Sequence, residues 1–84
     1  MLKIAYSNGA LRALKRLPVK TVALIRSKIG QYAANPAALA NNVIRLKDSP
    51  HLRLRVGDWR VIFEVSGGTL TVLDAGHRGS VYDD

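Results

Sequence analysis

The stretch His51-Leu52-Arg53-Leu54-Arg55-Val56-Gly57-Asp58-Trp59-Arg60-Val61-Ile62-Phe63-Glu64-Val65 decides how the second half of this chain folds. Its residues alternate with period two, which puts Leu52, Leu54 and Val56 on one side of a strand and His51, Arg53 and Arg55 on the other. Gly57-Asp58 has the composition of a two-residue hairpin loop, with glycine supplying the positive φ that a type II′ turn needs at its first position. That turn pairs Val56 with Trp59, Arg55 with Arg60 and Leu54 with Val61. Two arginines then face each other across the ladder. Like charges directly opposite destabilise a sheet, so a sequence that keeps them suggests a cost recovered when an anion, phosphate above all, binds there.

Downstream, Ser66-Gly67-Gly68-Thr69 reads as a second turn, which pairs Val65 with Leu70 and Phe63 with Val72 on the core side, together with Trp59 and Val61. Unbroken alternation from Leu70 puts His77 rather than Arg78 on the arginine side, so a bulge or the end of the strand must intervene if Arg78 is to join it. Upstream, residues 2–6 alternate as a strand, and Ser7-Asn8-Gly9 offers an N-cap before Ala10, Leu11, Leu14 and Leu17 at helical spacing. Pro18 ends that helix or opens the next, whose apolar set is Val22, Ile25, Ile29, Tyr32 and Ala33. Asn35-Pro36 stops it, because a residue before proline avoids the α region. Residues 37–42 form an Ala/Asn-rich connection, and Val43-Ile44-Arg45-Leu46 is a short strand closed by Lys47-Asp48-Ser49-Pro50. The order β-α-α-β-β-β describes a single α+β domain over residues 1–84, in which a helical hairpin packs on a mainly antiparallel sheet.

The 84 residues carry 13 Lys and Arg against 6 Asp and Glu, for a formal net charge of +7. All of the acids, Asp48, Asp58, Glu64, Asp74, Asp83 and Asp84, fall after residue 47. The first half therefore meets no counter-charge for Lys3, Arg12, Lys15, Arg16, Lys20, Arg26, Lys28, Arg45 and Lys47. A solvated basic helix face would account for any one of these, but the pattern as a whole favours nucleic acid over an anionic membrane or an acidic protein. Cysteine is absent, which excludes disulfides and thiolate chemistry and fits a cytoplasmic protein. Neither a signal peptide nor a membrane-spanning stretch is expected. No Gly-rich phosphate loop precedes a helix, no His/Asp/Glu set has metal-ligand spacing, and no Ser/His/Asp set is signalled, so neither cofactor nor metal is expected.

Leu46-Lys47, the run from Arg53 to Phe63, His77-Arg78 and Val81-Tyr82, in this element order, resemble the RelE/ParE superfamily of toxins from bacterial and archaeal toxin–antitoxin modules. The sequence looks more like the RelE branch, whose members cut messenger RNA in the ribosomal A site, than the ParE branch, whose members inhibit DNA gyrase. The resemblance implies that Arg53 activates the attacking ribose hydroxyl or holds the phosphate. It also implies that Arg60 and Arg78 stabilise the scissile phosphate, and that Tyr82 stacks on a base or takes part in proton transfer. Three departures bear on the general base. His51 stands where a well-known member has lysine, the segment from Arg78 to Tyr82 is shorter, and no helix is expected after Tyr82.

Metal-free RNA cleavage uses the 2′-OH as internal nucleophile and needs a base for it, cations for the developing phosphorane charge and an acid for the leaving oxygen. Arginine suits the second task, because its planar fork donates bidentate hydrogen bonds to phosphate and stays charged. As a base it is poor, which leaves His51, His77 and Tyr82 as titrating candidates. His51 is expected across the ladder from Glu64, which could fix its tautomer. Lys47, Arg45 and Arg55 are expected to contact RNA phosphates outside the reacting centre. For Arg53, Arg60 and Arg78 the ordinary alternative is a surface pair with Asp58, Glu64 or Asp74. Trp59 shares the period of Val61 and Phe63 and is expected in the core rather than on a base.

These readings imply a toxin that is a ribosome-dependent mRNA endonuclease. Its expected partners are messenger RNA and ribosomal RNA in the A site, and a RelB-like antitoxin on the basic face, in a hetero-oligomeric complex. The alternatives are a ParE-like gyrase inhibitor, in which the arginines touch protein or DNA without chemistry, and a non-catalytic RNA-binding relative.

Overall fold

Ser7 commits the chain to its first helix. The strand β1 (Lys3–Tyr6) ends there, and the Ser7 hydroxyl accepts the Ala10 N–H at 3.0 Å, capping α1 (Asn8–Lys15). One turn apart, Ala10 and Leu14 are the buried residues of α1. After Leu17-Pro18, α2 (Val19–Ala34) buries Ile25, Ile29 and Ala33, spaced by four, and stops at Asn35 before Pro36. The computed structural model describes residues 1–81. No helix in it is long and apolar enough to cross a membrane.

The segment read as a plain connection is instead a 3₁₀ helix, Pro36–Asn42, kinked at Leu39 (φ −117°, ψ 19°). Pro36 at its start presets a helical φ, and the kink lets Leu39 pack against the core. Next come β2 (Val43–Arg45), β3 (Leu52–Val56), β4 (Trp59–Ser66) and β5 (Thr69–His77). The five strands form one sheet in the order β1-β5-β4-β3-β2, antiparallel except where β1 runs parallel to β5.

The hairpin register is the one the sequence dictates. Val56 pairs with Trp59, Arg55 with Arg60 and Leu54 with Val61. Gly57 has φ +60°, and Asp58 is not among the positive-φ residues, as a type II′ turn requires. At the second hairpin Gly67 and Gly68 both adopt positive φ, and Val65 pairs with Leu70.

The main core lies between the sheet and the two helices, built on Phe63, Leu54, Val61, Leu70 and Val72 against Leu14, Ile25 and Ile29. Tyr32 meets Phe63 edge-on at a centroid distance of 5.0 Å. A second, smaller apolar cluster forms from Leu46, Ile62 and Val81, with Leu73 packed against it. By the alternation of β4, Ile62 shares the sheet face of Arg60, opposite the helices. The sheet is therefore apolar at its centre on both faces, which a strictly one-sided hairpin pattern does not convey.

Candidate nucleic-acid interface

The two faces of the β3–β4 hairpin separate cleanly. Leu52, Leu54 and Val56 are in register with Phe63, Val61 and Trp59 on the helix side, so Arg53 and Arg55 lie on the far side, where Arg55 is directly opposite Arg60. The charges concentrate at the turn end of the hairpin. Arg60 is half-buried, and its guanidinium turns back on its own turn, where Nη1 donates to the carbonyls of Gly57 at 3.0 Å and Trp59 at 3.1 Å. Its Nε is buried without a hydrogen-bond partner. Burial, and then the positive charges of Arg53, Arg55 and Arg78, lower the Arg60 pKa from the ordinary guanidinium value, while Asp58 acts in the opposite direction.

A guanidinium stays protonated across the pH range in which proteins are studied. The folded chain holds this proton less tightly than the unfolded chain, so charged Arg60 is a standing cost that only far-alkaline pH would remove, whereas an anion placed among the arginines offsets it at neutral pH. Replacing Arg55 with glutamine should therefore raise the melting temperature in low salt by a few degrees, corresponding to roughly 0.2–1 kcal/mol for a cross-strand pair. Screening should shrink the gain as salt rises. A gain that is absent, or unchanged by salt, would show that the pair is not repulsive.

Arg78 reaches the same face through a defect in β5. Phe63 pairs with Val72 but Ile62 pairs with Asp74, so Leu73 is an extra residue and the parity of the strand reverses there. From that point Ala75 and His77 align with Val61 and Trp59 on the helix side, and Gly76 aligns with Arg60. The Arg78 N–H donates to the Asp58 carbonyl at 2.8 Å, tying the exit of β5 to the hairpin turn. The intervening bulge required by the alternation is thus present. It moves His77 off the arginine face, where its ring meets Trp59 edge-on at 5.4 Å and its Nδ1 lies 2.9 Å from the Arg78 carbonyl oxygen. Trp59 packs half-buried against the main core, as its period suggests.

The other candidates are dispersed. The ladder of β3 starts at Leu52, opposite Phe63, so the expected His51–Glu64 pair is not formed within it. His51 instead closes the preceding loop, its N–H bonded to the Ser49 hydroxyl and its carbonyl accepting from Leu46 N–H, both at 3.0 Å. Arg45 is in register with Leu52 on the helix side and donates through Nε to the Ser49 carbonyl at 3.3 Å, away from Arg60. Lys47 is exposed beside the buried Leu46. Tyr82 lies outside the described residues. Among the described residues no group of three or more His, Asp or Glu could hold a metal ion. The structure thus gathers Arg53, Arg55, Arg60 and Arg78, with Asp58 acting on Arg60 from the turn and His77 on the other face, an arrangement able to bind and polarise a phosphate.

One residue that site reasoning on the sequence passed over, Gly76, supports this face. A Cβ on Gly76 would come within 2.7 Å of Val81 Cγ2, so only glycine lets the C-terminal segment settle over β5 opposite Arg60. A glycine inside a strand is the signal that could have flagged this close approach. Gly76→Ala should push Val81 out of its cluster with Leu46 and Ile62 and lower stability by about 1–3 kcal/mol. Chemical denaturation measures this, and an unchanged midpoint would mean that Val81 does not pack there in solution.

Comparison with known proteins places this geometry. Residues 4–82 match the family model of the ParE toxin of the type II toxin–antitoxin system parDE. No curated protein matches the chain. Among solved structures it is similar to the archaeal RelE–RelB complex of Pyrococcus horikoshii OT3, with TM-score 0.76 and 22% identity over 95% of this chain and 98% of that one. The RelB–RelE antitoxin–toxin complex of Methanococcus jannaschii gives TM-score 0.74 and 25% identity, covering 94% and 95% of the two chains. The RelBE2 toxin–antitoxin complex of Mycobacterium tuberculosis gives 0.75 and 20%, covering 92% and 98%. The fold is thus that of RelE toxins over nearly the whole length. With the family model spanning all but the first three and last two residues, the chain belongs to the ParE toxin family of type II toxin–antitoxin systems, within the RelE/ParE superfamily.

Proposed function

We propose that this toxin is a metal-independent, ribosome-dependent mRNA endonuclease, in which Arg53, Arg60 and Arg78 hold the scissile phosphate and stabilise the charge that develops on it after 2′-OH attack. The observation that carries the proposal is Arg55 facing Arg60 across the ladder, within the field of Arg53 and Arg78. A cluster of like charges that Asp58 offsets only in part is disfavoured in the free protein and favoured once a polyanion binds. Because arginine stabilises charge but is a poor base, the free protein should be a weak nuclease. The ribosome would align the 2′-OH with its phosphate, and such orientation can be worth about 7–11 kcal/mol. Tyr82 and His51 are the candidates for the proton-transfer role. A RelB-like antitoxin, by analogy with the complexes formed by the similar RelE structures, would cover the same basic face.

The match to a ParE family model supports a second reading, gyrase inhibition by the same arginines without chemistry. Primer extension on a defined message in a purified translation system, with and without ribosomes, separates the two. Cuts at A-site codons that require ribosomes support the nuclease. Intact message with stalled supercoiling supports the gyrase reading, and intact message with salt-dependent RNA affinity supports a silent binder.

A further inference from the structure

At the end of the sheet where β1 stops, the edge of β5 faces a slot rather than another strand. β1 pairs with β5 only as far as Tyr6 and Val72, after which the chain leaves for α1. The opening is closed on its other side by the α1–α2 corner. Arg16, Leu17 and Pro18 line one wall, and Trp59, Asp74 and His77 are among the residues lining the other, around a volume of about 500 Å³. This is within the size range of small-molecule clefts.

The backbone here is ill suited to receive an added strand. The bulge at Leu73 bends the edge, the Ala75 N–H is taken by Asp74 Oδ1 at 2.8 Å, and the His77 carbonyl is taken by the Ser80 N–H at 2.9 Å. Pro18 and the Trp59–His77 pair among the lining residues suit a planar ring instead. Asp74 is half-buried, and the Ala75 N–H fixes its carboxylate while leaving Oδ2 and a further lone pair of Oδ1 as acceptors.

We propose that this slot binds a guanine base, with the Asp74 carboxylate accepting from its N1–H and N2–H groups and the ring lying between Pro18 and the Trp59–His77 pair. Guanine is the base whose pairing edge presents two adjacent donors to a carboxylate. Adenine and cytosine each offer one amino group beside a ring nitrogen that a carboxylate repels, and uracil offers one N–H between two carbonyls. Gly76, which lines the slot, is in register with Arg60, so the base site and the phosphate site are separated by the thickness of one strand. The inference rests on the proposed action on RNA and deepens it by giving the site a preference for a guanosine near the phosphate it holds.

Trp59 is the only tryptophan of the chain, so all tryptophan emission comes from a residue of this wall. The full chain would be titrated separately with the 5′-monophosphates of guanosine, adenosine, cytidine, uridine and xanthosine, and with inorganic phosphate. GMP should perturb Trp59 with an apparent Kd at least fivefold below those of the other four nucleotides, and inorganic phosphate should leave the emission nearly unchanged. Asp74→Asn should transfer the preference from GMP to the xanthosine nucleotide, because the amide can donate to the O2 of xanthine. A general loosening of the fold could not produce that exchange. Equal affinities for all five nucleotides, or a phosphate response equal to that of GMP, would overturn the guanine site. If ribosome-dependent, Arg60-dependent cleavage persists in that event, the endonuclease reading stands and this inference alone falls. If cleavage is absent as well, the endonuclease reading falls with it.

Discussion

Arg60→Ala should reduce A-site message cleavage by about 10²–10³-fold, the loss found when one preorganised donor to a developing oxyanion is removed. Three features single Arg60 out among the 13 basic residues. Arg60 is half-buried, its orientation is fixed by two carbonyls of its own turn, and its proton is loosened by Arg53, Arg55 and Arg78. A side chain held in this way needs little reorganisation as charge builds on a phosphate, so its effect should appear in the rate of the chemical step rather than in binding alone. Arg78→Ala should act in the same direction, since Arg78 contributes to the same field. Lys15→Ala, on the exposed end of α1, should change the rate by no more than about threefold and mostly through encounter, with the difference vanishing in higher salt. Single-turnover cleavage on programmed ribosomes is the measurement, accompanied by thermal melts to show that each variant is folded. Equal losses at Arg60, Arg78 and Lys15 would refute a localised arginine site.

The largest effect on stability should come from Phe63→Ala. Phe63 lies in β4, which is flanked by β3 and β5, is fully buried, and meets Tyr32 of α2 edge-on. Removing its ring takes away one of the contacts that join the sheet to the second helix, at about 3–5 kcal/mol for a buried phenylalanine. A domain of this size has only about 5–15 kcal/mol in total, and each kcal/mol shifts its melting temperature by about 4–8 °C. The variant should therefore melt more than about 12 °C lower, and part of it should be unfolded at growth temperature. Ile44→Ala is the matching control, since Ile44 is 45% exposed and its loss removes little buried area. A Phe63 variant that melts within a few degrees of the parent would mean that the helical hairpin does not depend on this contact.

The hairpin at the centre of the sheet was legible because its determinants are local. Period-two alternation fixes which side chains share a face, and Gly57-Asp58 fixes the register, so the confrontation of Arg55 with Arg60 follows from neighbouring residues alone. The Ser7 cap and the stop at Asn35-Pro36 are local in the same sense. The 3₁₀ turn was less so, because an Ala/Asn-rich segment has no strong periodicity and takes its form from how Leu39 reaches the core. The His51–Glu64 pairing falls beyond the far end of the hairpin, where the ladder of β3 with β4 begins only at Leu52.

What the sequence determined by itself, then, is the element order, the hairpin register and the surplus of arginine on one side of a strand, because turn chemistry and side-chain alternation act over two to four residues. The tertiary structure alone decided which candidates meet. One extra residue, Leu73, reverses the parity of β5, brings Arg78 to Arg60 and sends His77 to Trp59 on the other face. A bulge is set by how two strands distant in sequence accommodate one another's packing. Here Ile62 and Leu73 turn toward Leu46 and Val81 to form an apolar patch that no single segment encodes.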